Sequence, residues 1–217
     1  MKFSIKMTAA ALALTGAVGA VQATSLIANT PTASVDYSGT FFGGSMVASA
    51  VTNISNLSYQ GIARTAVYDT GTGLDFYYQF SNSSTSKNGV ERFSGWDFRA
   101  LGNGVVDVFQ ITTGDGFFTT GTEPSDYADR TTLGVIGFNF VADGSSKINP
   151  GTTSYVQVIR TSARTFQSGN FGLLNGIGDN ATGFGVSAVP EPETYAMMLA
   201  GLGLMGAIAR RRKSKAA

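Results

Sequence analysis

The strict alternation of apolar and polar side chains from Leu74 to Phe80 constrains the fold of this chain more than any other feature. Successive side chains of a β-strand point to opposite faces, whereas a helix would scatter a period of two around its circumference. One face of the segment would therefore be apolar and buried. That face carries Leu74, Phe76, Tyr78 and Phe80.

The same strand pattern recurs along the middle of the chain, with β-branched and aromatic residues between turn signals rich in Gly, Asn and Asp. The clearest further strands are Val105–Ile111, Leu133–Val141 and Tyr155–Thr161. Weaker strands are predicted at Val35–Thr40, Phe41–Ser49, Ile62–Tyr68, Arg92–Arg99 and Phe184–Ala188. No helical periodicity interrupts them, so the middle of the chain is predicted to be all-β.

Many short strands separated by tight turns favour an antiparallel β-sandwich, with a jelly-roll-like arrangement. Two segments, Val105–Phe109 and Gly134–Phe138, are almost continuously apolar. Strands buried on both faces have this composition, so we expect these two to lie inside their sheets and not at an edge.

Composition excludes several classes of chemistry. The chain has no His and no Cys, and only 13% of its residues are charged. Without them there is no Ser-His-Asp or Cys-His arrangement, no histidine metal ligand and no disulfide framework. Outside the two ends of the chain acidic residues outnumber basic ones, which argues against a nucleic-acid partner. We expect no metal, no cofactor and no catalytic residues.

The beginning of the chain has the organisation of a secretory signal peptide. Lys2 and Lys6 give a positive start, and an apolar run follows from Met7 to Val21. Small residues come next, which predicts cleavage after Ala23, with Ala20 as the alternative. Residues 1–23 are therefore predicted to be removed as the chain passes through the secretion translocon.

The end of the chain combines a rigid acidic motif, an apolar run and a basic tail. The run Tyr195–Ala209 would make a transmembrane helix of roughly 22 Å, somewhat short of the ~30 Å hydrocarbon core. The basic tail would stay in the cytoplasm and leave the rest of the chain outside. The motif comprises Val189, Pro190, Glu191 and Pro192, and the basic tail begins with Arg210, Arg211, Arg212 and Lys213. A plain membrane anchor is the simpler interpretation.

This combination at the extreme end of the chain resembles the PEP-CTERM sorting signal of Gram-negative bacteria. The resemblance covers residues 189–217 and implies recognition by an exosortase, transient anchoring in the inner membrane and removal of the tail. It also implies delivery to the cell surface or the extracellular polysaccharide matrix. Residues 24–188 would then be the exported domain.

A second likeness lies within that domain. Gly73–Asn82, followed by Gly95–Phe98, is similar to a segment that recurs in exported domains of PEP-CTERM proteins. This likeness agrees with a sandwich and implies no catalytic residues. We therefore expect a non-enzymatic protein of the surface or biofilm matrix.

Carbohydrate binding is the alternative function, because aromatic faces stack on sugar rings while polar groups orient the hydroxyls. Tyr37, Tyr77 and Trp96 are the candidate sugar contacts, although core packing is the simpler role for Trp96. Tyr77 is a candidate because it lies on the face opposite the apolar stripe. A glycoside hydrolase is a weaker alternative, since it would need two carboxylates facing each other across a cleft.

Two further possibilities stay open. A loop region from Gly114 to Arg130 carries Asp115, Glu123, Asp126 and Asp129, whose oxygens could hold Ca²⁺, although a solvated polar loop is the simpler interpretation. A domain with so few charges could also self-associate through unprotected edge strands.

Overall fold

The structure, a computed structural model, describes residues 23–29, 33–35, 43–102, 106–140, 147–187 and 197–205. Within these ranges the chain forms twelve strands and one 3₁₀ turn, Arg99–Leu101, besides the helical residues 197–205. The strands are β1 (Thr24–Leu26), β2 (Ala33–Ser34), β3 (Ser45–Ser55), β4 (Gln60–Asp69), β5 (Leu74–Asn82), β6 (Arg92–Gly95), β7 (Val106–Ile111), β8 (Tyr127–Arg130), β9 (Ile136–Asn139), β10 (Val156–Arg160), β11 (Phe166–Asn175) and β12 (Ile177–Val186).

These strands form two six-stranded sheets, which confirms the predicted all-β sandwich. The first sheet has the order β1-β7-β10-β5-β4-β3, and the second has the order β12-β11-β6-β9-β8-β2. All strand pairings are antiparallel. β5 pairs with β10 in the first sheet and their successors β6 and β11 pair in the second, so an antiparallel ribbon passes between the sheets as in a jelly roll. The consecutive strands β3, β4 and β5 form a meander within one sheet. This meander departs from the connectivity of a jelly roll.

The strongly patterned strands are where the sequence predicts them. β5, β7 and β10 match the predicted segments closely, and β7 and β9 are interior strands buried on both faces, as expected. The strand predicted from Leu133 begins only at Ile136, because Gly134 adopts a positive φ of 78° in the preceding turn. The strand predicted from Arg92 ends at Gly95, since Asp97 also has a positive φ, 71°.

Aromatic side chains from both sheets fill the interior. Phe76 of β5 packs edge-on against Phe98 with ring centroids 5.0 Å apart, and Tyr78 lies 5.2 Å from Phe171 of the opposite sheet. Phe93 of β6 contacts Phe171 at 5.1 Å in a T-shaped arrangement. The apolar face that the alternation of β5 predicts is thus the centre of the core.

Buried tyrosine hydroxyls join one sheet to the backbone of the other. The hydroxyl of Tyr78 donates to the carbonyl oxygen of Phe184 at 2.8 Å, and that of Tyr59 donates to the carbonyl oxygen of Leu173 at 3.0 Å. Burial raises the pKa of Tyr59 to about 12 and raises that of Tyr78 as well, so both hydroxyls stay protonated donors at neutral pH. These bonds fix the position of β11 and β12 relative to the first sheet.

A loop covers the outer face of the first sheet and creates a second apolar cluster there. Phe118 of this loop packs over Tyr77 and Phe109, beside Val158. Gln79 holds the loop, because its amide nitrogen donates to the Thr119 carbonyl at 2.7 Å and its amide oxygen accepts from the Thr119 N–H at 3.0 Å. The first sheet is therefore buried on both faces around β5.

The β11–β12 hairpin is the largest element that the sequence analysis misses. Its glycines predict turns, but several lie inside strands at points where another chain segment approaches closely. A Cβ at Gly183 would lie 2.7 Å from the Asn170 carbonyl carbon, and one at Gly185 would lie 2.7 Å from the Trp96 carbonyl oxygen. Only the last part of β12 is predicted, by the segment Phe184–Ala188.

Most of the two terminal signals lies outside the described residues, including the signal peptide before Ala23, the motif from Val189 to Pro192 and the basic tail from Arg210 to Lys213. Residues 197–205, within the predicted transmembrane run, are helical. Among the described residues no helix is long and apolar enough to span a membrane.

Replacing Tyr78 by Phe removes one hydroxyl from the core and keeps the ring. We expect the free energy of unfolding to fall by about 1–2 kcal/mol, because the Phe184 carbonyl loses a buried hydrogen bond. Urea unfolding followed by circular dichroism measures this. Tyr127→Phe is the matched control, because within the described residues the Tyr127 hydroxyl has no hydrogen bond. An equal loss in both variants would contradict the assigned role.

Candidate functional site

A concave groove of about 620 Å³ runs along the outer face of the second sheet. β6, β11, β12 and the turn between β8 and β9 form its walls. It is lined by Arg92, Ser94, Trp96, Asp97, Arg99, Thr131, Leu133, Val135, Gly172, Leu173, Leu174, Gly178, Asp179 and Asn180.

One row of residues crosses the sheet under the groove, and three of its members, Ser94, Gly172 and Asn180, line the groove. The strand register places Asp129, Gly137, Ser94, Gly172 and Asn180 side by side on five neighbouring strands. Two of these positions are glycines and therefore carry no side chain above the sheet. Larger side chains from adjacent rows can lie flat across the gaps.

Trp96 lies over one of these glycines. Its indole Nε1 donates to the Ser94 hydroxyl at 3.1 Å, and a Cβ at Gly172 would come within 3.0 Å of the same nitrogen. The backbone N–H of Trp96 donates to the Asn170 carbonyl at 3.1 Å, beyond the end of β6. One hydrogen bond thus holds the indole and another holds the Trp96 backbone, while the residue remains 44% exposed. A fixed, accessible aromatic surface results.

Arg92 lies over the other glycine, where a Cβ at Gly137 would overlap its guanidinium. The guanidinium forms a two-pronged ion pair with Asp129, with Nη2 donating to Oδ1 at 2.9 Å, and it also donates to the Asn139 amide oxygen at 2.7 Å. The charge of Arg92 is therefore neutralised within the sheet, and its stem contributes mostly apolar surface to the groove.

The pKa of Asp129 reflects this network. Partial burial acts to raise it, but the hydrogen bonds from Arg92 and Asn139 and the charge of Arg92 outweigh burial and leave the pKa below its usual value. Asp129 is thus an ionised structural partner at neutral pH.

The remaining groove surface combines exposed aliphatic side chains with amide and carboxylate groups. Leu133 and Leu174 are exposed beside the indole. At the far end Asp179 accepts a hydrogen bond from the Asn56 amide at 3.3 Å and from the backbone N–H of Asn180 at 2.8 Å. A flat ring can stack on Trp96 while polar groups within the groove orient its hydroxyls.

The two predicted sugar contacts that the structure describes do not lie together. Trp96 is exposed in the groove, whereas Tyr77 is fully buried under the loop of the first sheet, with its ring 4.5 Å from Tyr68 and 6.0 Å from Phe118. Tyr77 does lie on the face opposite the apolar stripe, but the alternation could not show that a loop covers that face. Tyr37 lies outside the described residues.

The acidic residues between Gly114 and Arg130 are held separately. Asp115 accepts from the Tyr68 hydroxyl and from the backbone N–H groups of Phe117 and Phe118, while Asp129 binds Arg92. Within the described part of the chain no three acidic side chains converge in a way that could hold a metal ion. The possibility of a Ca²⁺ loop therefore gains no support from the geometry.

A buried carboxylate lies on the other sheet. Asp75 is fully buried and accepts two-pronged hydrogen bonds from Arg160, at 3.1 Å from Nε and 2.8 Å from Nη2. Burial raises the pKa of Asp75, although Arg160 acts to lower it. The Arg160 guanidinium in turn lies 4.9 Å from the centre of the Phe109 ring. This pair belongs to the packing of the first sheet and not to the groove.

Comparison with protein-family models finds a match to the PEP-CTERM protein-sorting motif over residues 188–213. The chain carries a PEP-CTERM protein-sorting motif. This confirms the sorting motif predicted from the end of the sequence. No curated protein and no solved structure matches the chain at a significant level. The PEP-CTERM motif implies recognition by an exosortase, export, and membrane-associated sorting to the cell surface.

Asp129 is the ion-pair partner of Arg92, which lines the groove, and the pH dependence of stability should show this pairing. Because the pKa of Asp129 is lowered by folding, its stabilisation is present above the unfolded value near 3.9 and is lost as pH falls through the lower folded value. Asp129→Asn should cost about 1 kcal/mol at pH 7, since the pair is partly screened by solvent, and progressively less toward pH 2.

Thermal unfolding at several pH values measures this difference. Asp97→Asn is the matched control, because the Asp97 carboxylate makes no ion pair within the described residues and Asn tolerates a positive φ. A loss of stability that is the same at pH 7 and pH 2 would contradict the linkage.

Proposed function

We propose that the exported domain is a non-enzymatic protein of the cell surface or extracellular polysaccharide matrix, and that it binds neutral polysaccharide along the Trp96 groove. The observation that carries the proposal is the exposed indole, with its Nε1 held over Gly172 in a concave surface. A sugar ring can stack on the indole and displace water from the two exposed leucines beside it.

Charge in the groove favours a neutral ligand. Arg92 is paired with Asp129, and two lining carboxylates, Asp97 and Asp179, accompany the exposed Arg99. An acidic polysaccharide would place its carboxylates near Asp97 and Asp179. Arg99 alone would not offset the repulsion between these negative charges.

Ion pairing removes two buried or half-buried carboxylates, Asp129 and Asp75, as candidates for the acid or base of a glycoside hydrolase. A hydrolase needs one carboxyl group protonated and another free to act as base or nucleophile at the same sugar. Asp129, in the same strand row as Ser94, is held ionised by Arg92, and buried Asp75 is paired with Arg160 on the opposite sheet. Neither is available to donate a proton to a ligand on Trp96.

We further propose the route to the surface. The translocon exports the chain, and signal peptidase cleaves after Ala23. A helix between Tyr195 and Ala209 then anchors the chain in the inner membrane until an exosortase cleaves near Pro190. The strand limits support these boundaries, since β1 begins at Thr24 and β12 ends at Val186, just before the motif. The folded domain would thus comprise nearly all of the chain between the two cleavage sites.

Changing Pro190 and Glu191 together to Ala should abolish processing without unfolding the domain, because the motif lies beyond the last strand. Intact mass spectrometry of protein from the surface of the native host measures this. The unchanged chain should lack residues 1–23 and the tail, whereas the variant should keep the tail and stay with the membrane. Pro150→Ala, in an exposed turn, is the control. Normal delivery of the double variant would refute the route.

Trp96 is the only Trp in the chain, so intrinsic fluorescence reports directly on the groove. Titration with the neutral exopolysaccharide of the host should shift or quench the emission, whereas an acidic polysaccharide such as alginate should not. Trp96→Ala should weaken binding by about tenfold or more, equivalent to about 1.4 kcal/mol, as measured by titration calorimetry.

Trp96→Phe should recover part of the affinity, because the ring still stacks. Leu57→Ala, at an exposed apolar site outside the groove, should leave affinity unchanged. Equal binding by the wild type and Trp96→Ala would overturn the proposed groove function.

A further inference from the structure

Among the described residues the sandwich has four edge strands, and three of them have some protection. β1 and β2 are edges of three and two residues, too short to template another strand. β12 is longer, but hydroxyl groups of the facing sheet occupy its backbone: the Thr182 N–H donates to the Thr52 hydroxyl at 3.1 Å, and the Thr182 carbonyl accepts from Thr65 at 2.9 Å.

The fourth edge, β3, has little protection. It is eleven residues long, Ser45–Ser55, and contains no charged residue, no Pro and no Gly. Its partner on one side is β4, and within the described residues no strand pairs with its other side. Most of its side chains are exposed, among them Val51 at 57%. A bulge between Met46 and Ala48 is its one irregularity, and the strand is regular from there to Ser55.

We propose that β3 pairs antiparallel with β3 of a second copy of this chain, about a two-fold axis at Val51. This register places Val51 opposite the partner's Val51 and Ser49 opposite the partner's Asn53 on the outer face. On the inner face it places Ala50 opposite the partner's Thr52. The segment Ala48–Ile54 thereby pairs with itself outside the bulge, and the first sheets of two molecules become one continuous sheet.

Identity of the partner follows from the chemistry of the strand. In a two-fold contact the strand pairs with an identical strand. Charged residues near the axis would therefore face like charges, but β3 has no charged residue. The nearest cation is Arg64, opposite Val51 on β4, and it donates to the Ser81 hydroxyl at 3.3 Å. Across two paired β3 strands the two Arg64 strands would lie three spacings apart, about 14 Å, beyond the Debye length at physiological salt.

Crowding at the cell surface favours this contact. A single added strand pair is weak in dilute solution, but molecules confined to one surface or matrix experience a high effective concentration. The pairing does not depend on the Trp96 groove, which lies on the outer face of the other sheet.

The test is site-directed crosslinking of the full chain in its native host. The chain has no cysteine, so Val51→Cys introduces the only thiol. Residues facing each other across an antiparallel pair have Cβ atoms about 4.5–5.5 Å apart. A short bismaleimide should therefore convert this variant into covalent dimers on a denaturing gel. Leu57→Cys, 79% exposed but outside the strand, is the control and should stay monomeric.

A charge variant gives the complementary test. Val51→Lys sets two like charges on the axis and should abolish crosslinking through thiols introduced together at Ser49 and Asn53, which face each other across the pair, whereas Leu57→Lys should not. Circular dichroism verifies that both variants fold. Failure of Val51→Cys to crosslink above the Leu57→Cys level, or crosslinking unaffected by Val51→Lys, would overturn the pairing. Polysaccharide binding should be the same in Val51→Lys and wild type, so the two proposals stand or fall separately.

Discussion

Packing of aromatic rings between the two sheets holds this sandwich together, because the chain has no cysteine to join them covalently. Tyr78 is at the centre: its ring packs on Phe171 and its hydroxyl donates to the backbone of β12. The rest of the second sheet takes its position from such contacts. The outer face of β11 and β12, and hence the floor of the groove, is therefore set by residues buried on the opposite side of the same strands.

Alternation was sufficient to predict the strands that have one apolar face and the sandwich that follows from them. β5 is the clearest case, since its core face is Leu74, Phe76, Tyr78 and Phe80 as the period of two requires. Alternation could not predict what covers the other face. Tyr77 lies where the pattern places it, yet a loop that is distant in sequence buries it.

Glycine explains why the candidate site was only partly predictable. Gly137 lies in a strand that the sequence predicts and Gly172 in one that it does not. Both leave room for a larger side chain, Arg92 over Gly137 and Trp96 over Gly172, to lie across the sheet. Their role depends on the register of five strands, which only the folded chain supplies. Trp96 could be named from its residue type, whereas its groove could not. The sorting motif, by contrast, is local in sequence and was fully predictable.

The long-range pairing of the strands has a consequence for the order in which the domain folds. β1 can pair only after β7 has been exported, β5 only after β10, and β6 only after β11. Most of the chain must therefore have crossed the inner membrane before either sheet is complete. High contact order slows such folding and keeps the emerging chain unfolded enough to be threaded through a translocon. The meander β3-β4-β5 is the exception, since its pairings are local and can form first. The newly exported chain would thus display its uncharged edge before the rest of the sandwich exists, and molecules crowded at the same membrane would meet through it while still folding.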